Sequence, residues 1–376
     1  MARKPLGVGI VGLQPGRSWA AIAHVPALRS LPDDYEIVGV ANSSPASAKQ
    51  AAQASDIPYA FADVAELVAS PAVQIVTVTV KVPHHFELVK AAIDAGKHVY
   101  CEWPLGNGLQ EAQALADMAR ARGVLAVVGT QARAAPEIEY LTGLIAGGYV
   151  GEVLSSTLVG SGRILGPHVN QVGAYILDVR NGANMLTIPL GHTLAAMRDV
   201  LGDVVELSAS LIHRRTSATV AETQEVVPMT SHDQVLVNGT LHSGAPVSIH
   251  YRGGLSRGTN LLWEINGTEG DIQVSGPSGH TQMVQLSLKG ARGEASSVEP
   301  IEVPPSFYEG WPKEPSPRNV ARVYARMAAD LRDGTTSAPT FDDALAVHQI
   351  IAAIESSAGS GLRVPVLLPG RPASDT

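Results

Sequence analysis

Two stretches of this chain carry residue types that could do chemistry on a bound ligand. The first is Cys101-Glu102-Trp103-Pro104. The apolar run Val99-Tyr100-Cys101 reads as a strand, and Pro104 stops it. Ligands in α/β sheets collect just beyond the carboxyl ends of the strands. Glu102 and Trp103 stand at such an end. Lys81 closes an earlier apolar run, 74–80, which would neighbour the Glu102 strand in a doubly wound sheet. The second stretch begins where the run 6–12 ends in glycine: Gly12-Leu13-Gln14-Pro15-Gly16-Arg17-Ser18-Trp19. Strand, glycine turn and helix together suit a pyrophosphate, because a helix N-terminus offers free N–H groups and partial positive charge. The turn is a few residues longer than the compact Gly-x-Gly-x-x-Gly spacing, and a purely structural turn is equally open.

The next strand, 36–41, ends at Asn42-Ser43-Ser44. An NAD site usually has an acidic residue here, on the ribose 2′-hydroxyl. With no acid present, and with Arg17 and Lys49 nearby, the pattern favours NADP over NAD. The competing reading is that Ser43 and Ser44 cap the following helix. His84-His85 has no partner at ligand spacing, so no metal is expected. Cys101 reads as a buried strand residue.

These residues need a sizeable scaffold, and the 376-residue chain is long enough for two domains. A formal net charge of −8 argues against a nucleic-acid partner. One cysteine rules out an internal disulfide framework and fits a reducing, cytoplasmic setting. The start of the chain reads as a strand rather than a signal peptide. No run suits a membrane span. Alternating apolar runs and helical patterns give six parallel strands by residue 130, enough for a Rossmann domain. After that, long alternating strands dominate, joined by turns at His242-Ser243-Gly244-Ala245 and at Asn266-Gly267-Thr268-Glu269-Gly270. Segment 290–317 reads as loop, and 318–333 and 342–357 as helices. The expected architecture is α/β: an N-terminal Rossmann doubly wound parallel sheet (1–130) plus a C-terminal α+β domain with a large, mostly antiparallel open sheet (131–365). A disordered tail is expected at 366–376.

Several ordered motifs then resemble one family. They are His24-Val25-Pro26-Ala27-Leu28, His85, Ala95-Gly96-Lys97-His98-Val99, Cys101-Glu102-x-Pro104, Arg133 with Pro136, and Gly267-Thr268-Glu269-Gly270. Together they resemble the glucose-fructose oxidoreductase, inositol dehydrogenase and rhizopine catabolism (Gfo/Idh/MocA) family, over about residues 6–365. Gly12-Leu13 with Trp19, Glu102-Trp103, Leu190-Gly191-His192-Thr193 and Arg252-Gly253-Gly254 are similar to its Gal80-like branch, which is typified by a regulator. The resemblance implies NAD(P), a sugar, polyol or related alcohol, and a homodimer or homotetramer formed through the C-terminal sheet. It implies a cofactor set of Gly12, Leu13, Gly16, Arg17, Ser18, Trp19, Asn42, Ser43, Ser44, Lys49, Val80, Lys81, His85, Glu102, Trp103, Pro104 and Gln131. It also implies a substrate set of Trp103, Arg133, His168, Tyr175, Asp178 and His192.

The same resemblance exposes two departures. The family's lysine base falls on Trp103, whose indole N–H cannot act as a base. Its helper aspartate falls on Ile188. His192 remains as acid/base, since imidazole titrates near neutrality, with Lys81 as a second candidate if partial burial lowers its pKa. Three functions follow as expectations. The first is an NAD(P)-dependent oxidoreductase of a sugar, polyol or glycoside-like alcohol. The second is a catalytically silent NAD(P)-binding sugar sensor. The third is redox-neutral chemistry with bound NAD(P).

Overall fold

β-Branched and aliphatic residues with few charges make the first strands fit for burial on both faces, and they pair in parallel. The computed structural model describes residues 4–368. Strands β1 (Leu6–Val11), β2 (Tyr35–Ala41), β3 (Tyr59–Ala60), β4 (Ile75–Val78), β5 (His98–Glu102) and β6 (Ala126–Gly129) form one six-stranded sheet. Its order is β3-β2-β1-β4-β5-β6, all parallel, so the order reverses between β1 and β4. That is the switch point at which doubly wound sheets bind ligands. The crossovers run through α1 (Val25–Arg29), α2 (Pro45–Ala54), α3 (Val64–Ala69), α4 (His85–Asp94) and α5 (Leu109–Arg122). Helix α4 ends as its sequence directs, at Ala95, followed by Gly96 with φ +72°. The helix expected after the glycine turn begins with a π-turn, Ala20–His24, before α1.

Beyond residue 134 come α6 (Pro136–Ala146), β7 (Val153–Gly162) and β8 (His168–Val169). A second π-turn, Leu186–Leu190, runs into α7 (Gly191–Leu201). Next are β9 (Val204–Ile212), β10 (Ser217–Val220), β11 (Val226–Pro228), β12 (Gln234–Leu241), β13 (Pro246–Gly253), β14 (Leu261–Gly267), β15 (Gly270–Gly276), β16 (Ser287–Arg292) and β17 (Glu299–Ile301). The chain closes with α8 (Pro315–Asp333), α9 (Phe341–Ser360) and β18 (Val364–Pro365). Nine of these strands form a mixed, mostly antiparallel sheet of order β17-β16-β15-β14-β7-β13-β12-β9-β18, in which β7 and β13 run parallel. Strands β8, β10 and β11 form a small separate sheet that the sequence reading did not foresee.

The chain divides into two compact units. One holds residues up to 134 together with 308–345; the other holds 135–307 and 346 onward. The sequence reading drew one cut at 130. Helix α8 shows why a single cut falls short: Tyr324, Val320, Val323 and Met327 are buried in the same core as Val8, Ile10 and Tyr100 of the parallel sheet. The loop expected at 290–317 is corrected in part, since it contains the end of β16, all of β17 and a 3₁₀ turn, Pro305–Phe307. The tail expected to be disordered from 366 is also corrected at its start. Val366 is buried and donates its N–H to the Val205 carbonyl at 2.8 Å. Positions 369–376 lie outside the described residues. Among the described residues no helix is long and apolar enough to cross a membrane.

Candidate functional site

In the first unit the functional side chains gather at the carboxyl ends of β1, β4, β5 and β6. Gly12 follows β1 with φ +99°, and a Cβ there would come within 2.6 Å of Val80 Cγ1 beyond β4. Only glycine allows both the backbone angle and this approach. Asn42 ties the same turn to the end of β2. Its Oδ1 accepts from the Leu13 N–H at 2.9 Å, and its amide donates to the carbonyls of Leu13 (2.9 Å) and Ser47 (3.1 Å). Ser44 caps α2, accepting from the Ser47 N–H at 3.2 Å. Asn42 and Ser44 are thus occupied by the fold, and the capping alternative holds for Ser44. Ser43, Arg17 and Lys49 are exposed. Ser18 folds back on the turn, accepting from the Gln14 N–H at 2.9 Å. Gly16 (φ +69°) has open space where a Cβ would stand.

Glu102 is the centre of a directional network. A carboxylate only accepts, so the 2.9 Å contact with His24 makes Nε2 of that ring the donor. His24 Nδ1 must then accept from the Tyr324 hydroxyl at 2.9 Å, and Thr77 donates to Tyr324 at 2.9 Å. Gln131 donates to the same Glu102 oxygen at 2.5 Å. Close approach is possible because position 129 is glycine: a Cβ there would lie 2.5 Å from Glu102 Oε1 and 2.7 Å from Gln131 Nε2. His24 and Gln131 thus form a frame that holds the Glu102 carboxylate. Burial and the nearby Glu102 charge push the Tyr100 hydroxyl and the Cys101 thiol well above their ordinary pKa ranges.

His85 is fully buried, with Nδ1 2.7 Å from the Pro104 carbonyl and Nε2 3.0 Å from the Val80 carbonyl. Burial lowers its pKa. With both ring nitrogens facing backbone, His85 holds the Val80 loop against the Trp103-Pro104 loop, whose peptide is cis. Trp103 itself is 4% exposed. Lys81 is exposed, which removes the partial burial on which its role as a base rested. Arg133, expected in the substrate set, pairs with Asp343 at 3.2 Å.

Near the carboxyl ends of the parallel strands, buried polar atoms without a partner among the described residues include Trp19 Nε1 in the first helical turn, Thr130 Oγ1, and Gln131 Oε1 beside Glu102. Buried polar groups are normally satisfied. One orphaned donor by the glycine turn and two orphaned oxygens by Glu102 fit a polar ligand such as a dinucleotide. These residues could hold its phosphate and ribose ends. Among the described residues there is no group of three His, Cys, Asp or Glu side chains placed to hold a metal ion.

In the second unit His192 sits on α7, where the π-turn gives way to the helix, and is 3% exposed. Its Nδ1 is buried without a partner among the described residues. Burial first, then the neighbouring His280, pushes its pKa down to about 3. His192 is therefore neutral at pH 7, the state that accepts a proton, though burial makes it a weak acceptor. His280 is missing from the sequence reading altogether. It lies in a buried loop between β15 and β16. His168 is exposed on β8, and Asp178 caps the short turn Val179–Asn181 and pairs with Arg180 at 2.6 Å. Those contacts hold the Asp178 carboxyl down at about 2. The Tyr175 carbonyl accepts from Asn181 at 2.5 Å, and burial raises its phenol pKa.

His24, Thr77 and Tyr324 were also missed as site residues. His24 lay within a recognised motif and had that signal. Tyr324 lies 300 residues from its partner His24 and had none.

Comparison with known proteins agrees with this fold. Residues 6–130 match the model described as "Oxidoreductase family, NAD-binding Rossmann fold". Residues 136–276 match "Gal80p, C-terminal domain". The chain is 32% identical to the dehydrogenase aclE of Aspergillus oryzae over 95% of this chain and 97% of that one. It is 28% identical to the galactose/lactose metabolism regulatory protein GAL80 of Kluyveromyces lactis over 76% and 67% of the two chains. Among solved structures, a super-repressor mutant of Gal80p from Saccharomyces cerevisiae superposes with a TM-score of 0.89 at 23% identity, covering 96% of this chain and 98% of that one.

Proposed function

This chain belongs to the Gfo/Idh/MocA oxidoreductase family, and from that premise we propose that it is a nicotinamide-dependent dehydrogenase or reductase of a sugar, polyol or related alcohol. The observation that carries the reading is the rigid Glu102 frame, bordered by orphaned Thr130 and Gln131 oxygens at a strand end. A bound nicotinamide supplies the hydride acceptor or donor.

The protein's own residues do the rest. Glu102, fixed by His24 and Gln131, orients a ribose. Trp103, standing where the family keeps its lysine, excludes water and offers an apolar wall instead of a base. His192, neutral at pH 7, takes the hydroxyl proton in oxidation and returns it in reduction. The absence of an acid at the end of β2, with Arg17 and Lys49 exposed, supports NADP over NAD. Self-association is assigned to the outer face of the nine-stranded sheet, where Leu262, Val159, His250 and Leu236 lie in one cross-strand row and are half-buried.

Purified protein with NAD⁺ or NADP⁺ and a panel of sugars and polyols is expected to give reduced-cofactor absorbance. Cofactor binding without any turnover would overturn the dehydrogenase reading. It would favour a second one, a catalytically silent sensor, which is supported by the missing lysine and aspartate and by the regulatory relative.

A further inference from the structure

The loop that carries His280 is unusual in being buried. Ser278, His280 and Thr281 are each under 5% exposed. Loops normally run over the surface, because buried backbone and side-chain polar groups must all find partners. This one is pinned. The Gly279 N–H donates to the Ser161 carbonyl at 2.8 Å, and the Tyr251 hydroxyl donates to the Gly279 carbonyl at 3.1 Å. The Thr193 hydroxyl meets Tyr251 Oη at 2.7 Å and Thr281 Oγ1 at 3.2 Å. Thr193 follows His192 and Thr281 follows His280, so one hydroxyl contact clamps the two histidine-bearing segments together. The hydroxyls of Tyr251, Thr193 and Thr281 are thus paired, and the imidazoles are not. Both ring nitrogens of His280, and Nδ1 of His192, are buried without a partner among the described residues.

We propose that His280 is a ligand-contacting residue that works beside His192, taking the hydroxyl next to the one that His192 meets, so that the ligand presents an uncharged vicinal diol. The proposal rests on the reading of His192 as a substrate-side residue. A neutral imidazole offers one N–H and one lone pair. A hydroxyl can donate and accept, so it can pair with whichever ring nitrogen faces it; a carboxylate or phosphate only accepts and can pair only with the N–H. Two adjacent neutral rings therefore match two adjacent hydroxyls. Burial keeps both rings neutral, with His280 pushed down to about 4 by burial and by the charge of Arg163. His280 is assigned a specificity role rather than the proton transfer, which stays with His192.

The test uses the full-length protein with ¹⁵N-labelled histidine, the two rings being assigned from His192→Gln and His280→Gln. D-Glucose, D-galactose, D-xylose and myo-inositol are titrated in the presence of NADP⁺ or NAD⁺. A ligand of this site is expected to move the imidazole signals of both rings. His280→Gln is expected to raise its KM or Kd about tenfold, the worth of one hydrogen bond, with kcat within about threefold. Wild type is expected to disfavour the analogue lacking the neighbouring hydroxyl about tenfold, and His280→Gln to lose that preference. Ring signals that move without turnover would keep the proposal and sink the dehydrogenase reading. Turnover with an unmoved His280 ring and an unaltered His280→Gln would mean that only water fills the gap, which overturns the proposal and spares the dehydrogenase. Silence of both rings toward the whole panel overturns it as well.

Discussion

Glu102 and His192 are two buried or half-buried polar groups held in opposite ways. Around Glu102, a chain of donors and acceptors from Thr77 through Tyr324 and His24 fixes one carboxylate oxygen, and Gln131 fixes it again. Around His192, the hydroxyls of Thr193, Thr281 and Tyr251 are paired, but the imidazoles are not. The first arrangement resembles a jig, in which polar groups satisfy one another and hold geometry. The second is a set of unspent donors and acceptors, which costs stability in the free protein and is recovered when a ligand supplies partners. A residue that holds others in place and a residue that reacts can both be buried and polar; what separates them is whether their bonding capacity is used up.

The comparison can be broken most sharply at His192. His192→Ala is expected to lower turnover by about 10²- to 10⁴-fold, the usual worth of a general acid–base, with cofactor affinity unchanged. Steady-state kinetics with a cofactor titration reads both; unaltered turnover would remove His192 from the chemistry.

On the other side, Glu102→Ala leaves His24 and Gln131 with unmet donors. It is expected to destabilise the protein by about 1–3 kcal/mol and to weaken cofactor binding. Denaturant unfolding checks the first effect, and an unchanged midpoint would mean that the network is not a jig.

Acid acts on the second unit through its buried imidazoles. His192 and His280 are depressed from 6.5 to about 3 and about 4. As pH falls below about 6.5 the unfolded chain binds protons that the folded chain refuses. Stability is therefore full above that pH and declines on the way down to the folded values, by about 1.4 kcal/mol per pH unit for each proton. His280→Gln is expected to flatten the slope of unfolding free energy between pH 6 and 5. An unchanged slope would mean that the ring is not buried and neutral.

The smallest expected effect is on cofactor choice. Asp caps a helix as well as Ser does, so Ser44→Asp keeps the α2 cap while adding a carboxylate near the expected ribose end. It should shift preference toward NAD, measured as the ratio of kcat/KM for the two cofactors. No shift would place the 2′ end elsewhere.

Much of the first unit was legible in the sequence because its signals are local. Apolar runs make strands, Gly96 ends a helix, Ser44 caps one, and Gly12 supplies a backbone angle that other residues resist. The place of Trp103 just past a strand end could likewise be read from the sequence. The partial burial expected of Lys81 was misjudged because exposure depends on what packs beside a residue, not on the residue. The boundary near 130 missed the return of α8 because its amphipathic pattern says that one face is buried but not against what.

The sequence by itself determined the doubly wound order, the glycine turn, the acid-free end of β2 and the indole of Trp103 just beyond the end of β5. Each depends on neighbours within a few residues, or on a strand pattern of period two or a helix pattern of period 3.6. Only the tertiary structure decided that Tyr324 and His24 would hold Glu102, and that His280 would stand beside His192. Thr193 and Thr281, the hydroxyls that join those two segments, are 88 residues apart. A bond between such distant side chains leaves no periodic trace in the chain. It exists only once folding has brought the segments together and left those rings without another partner.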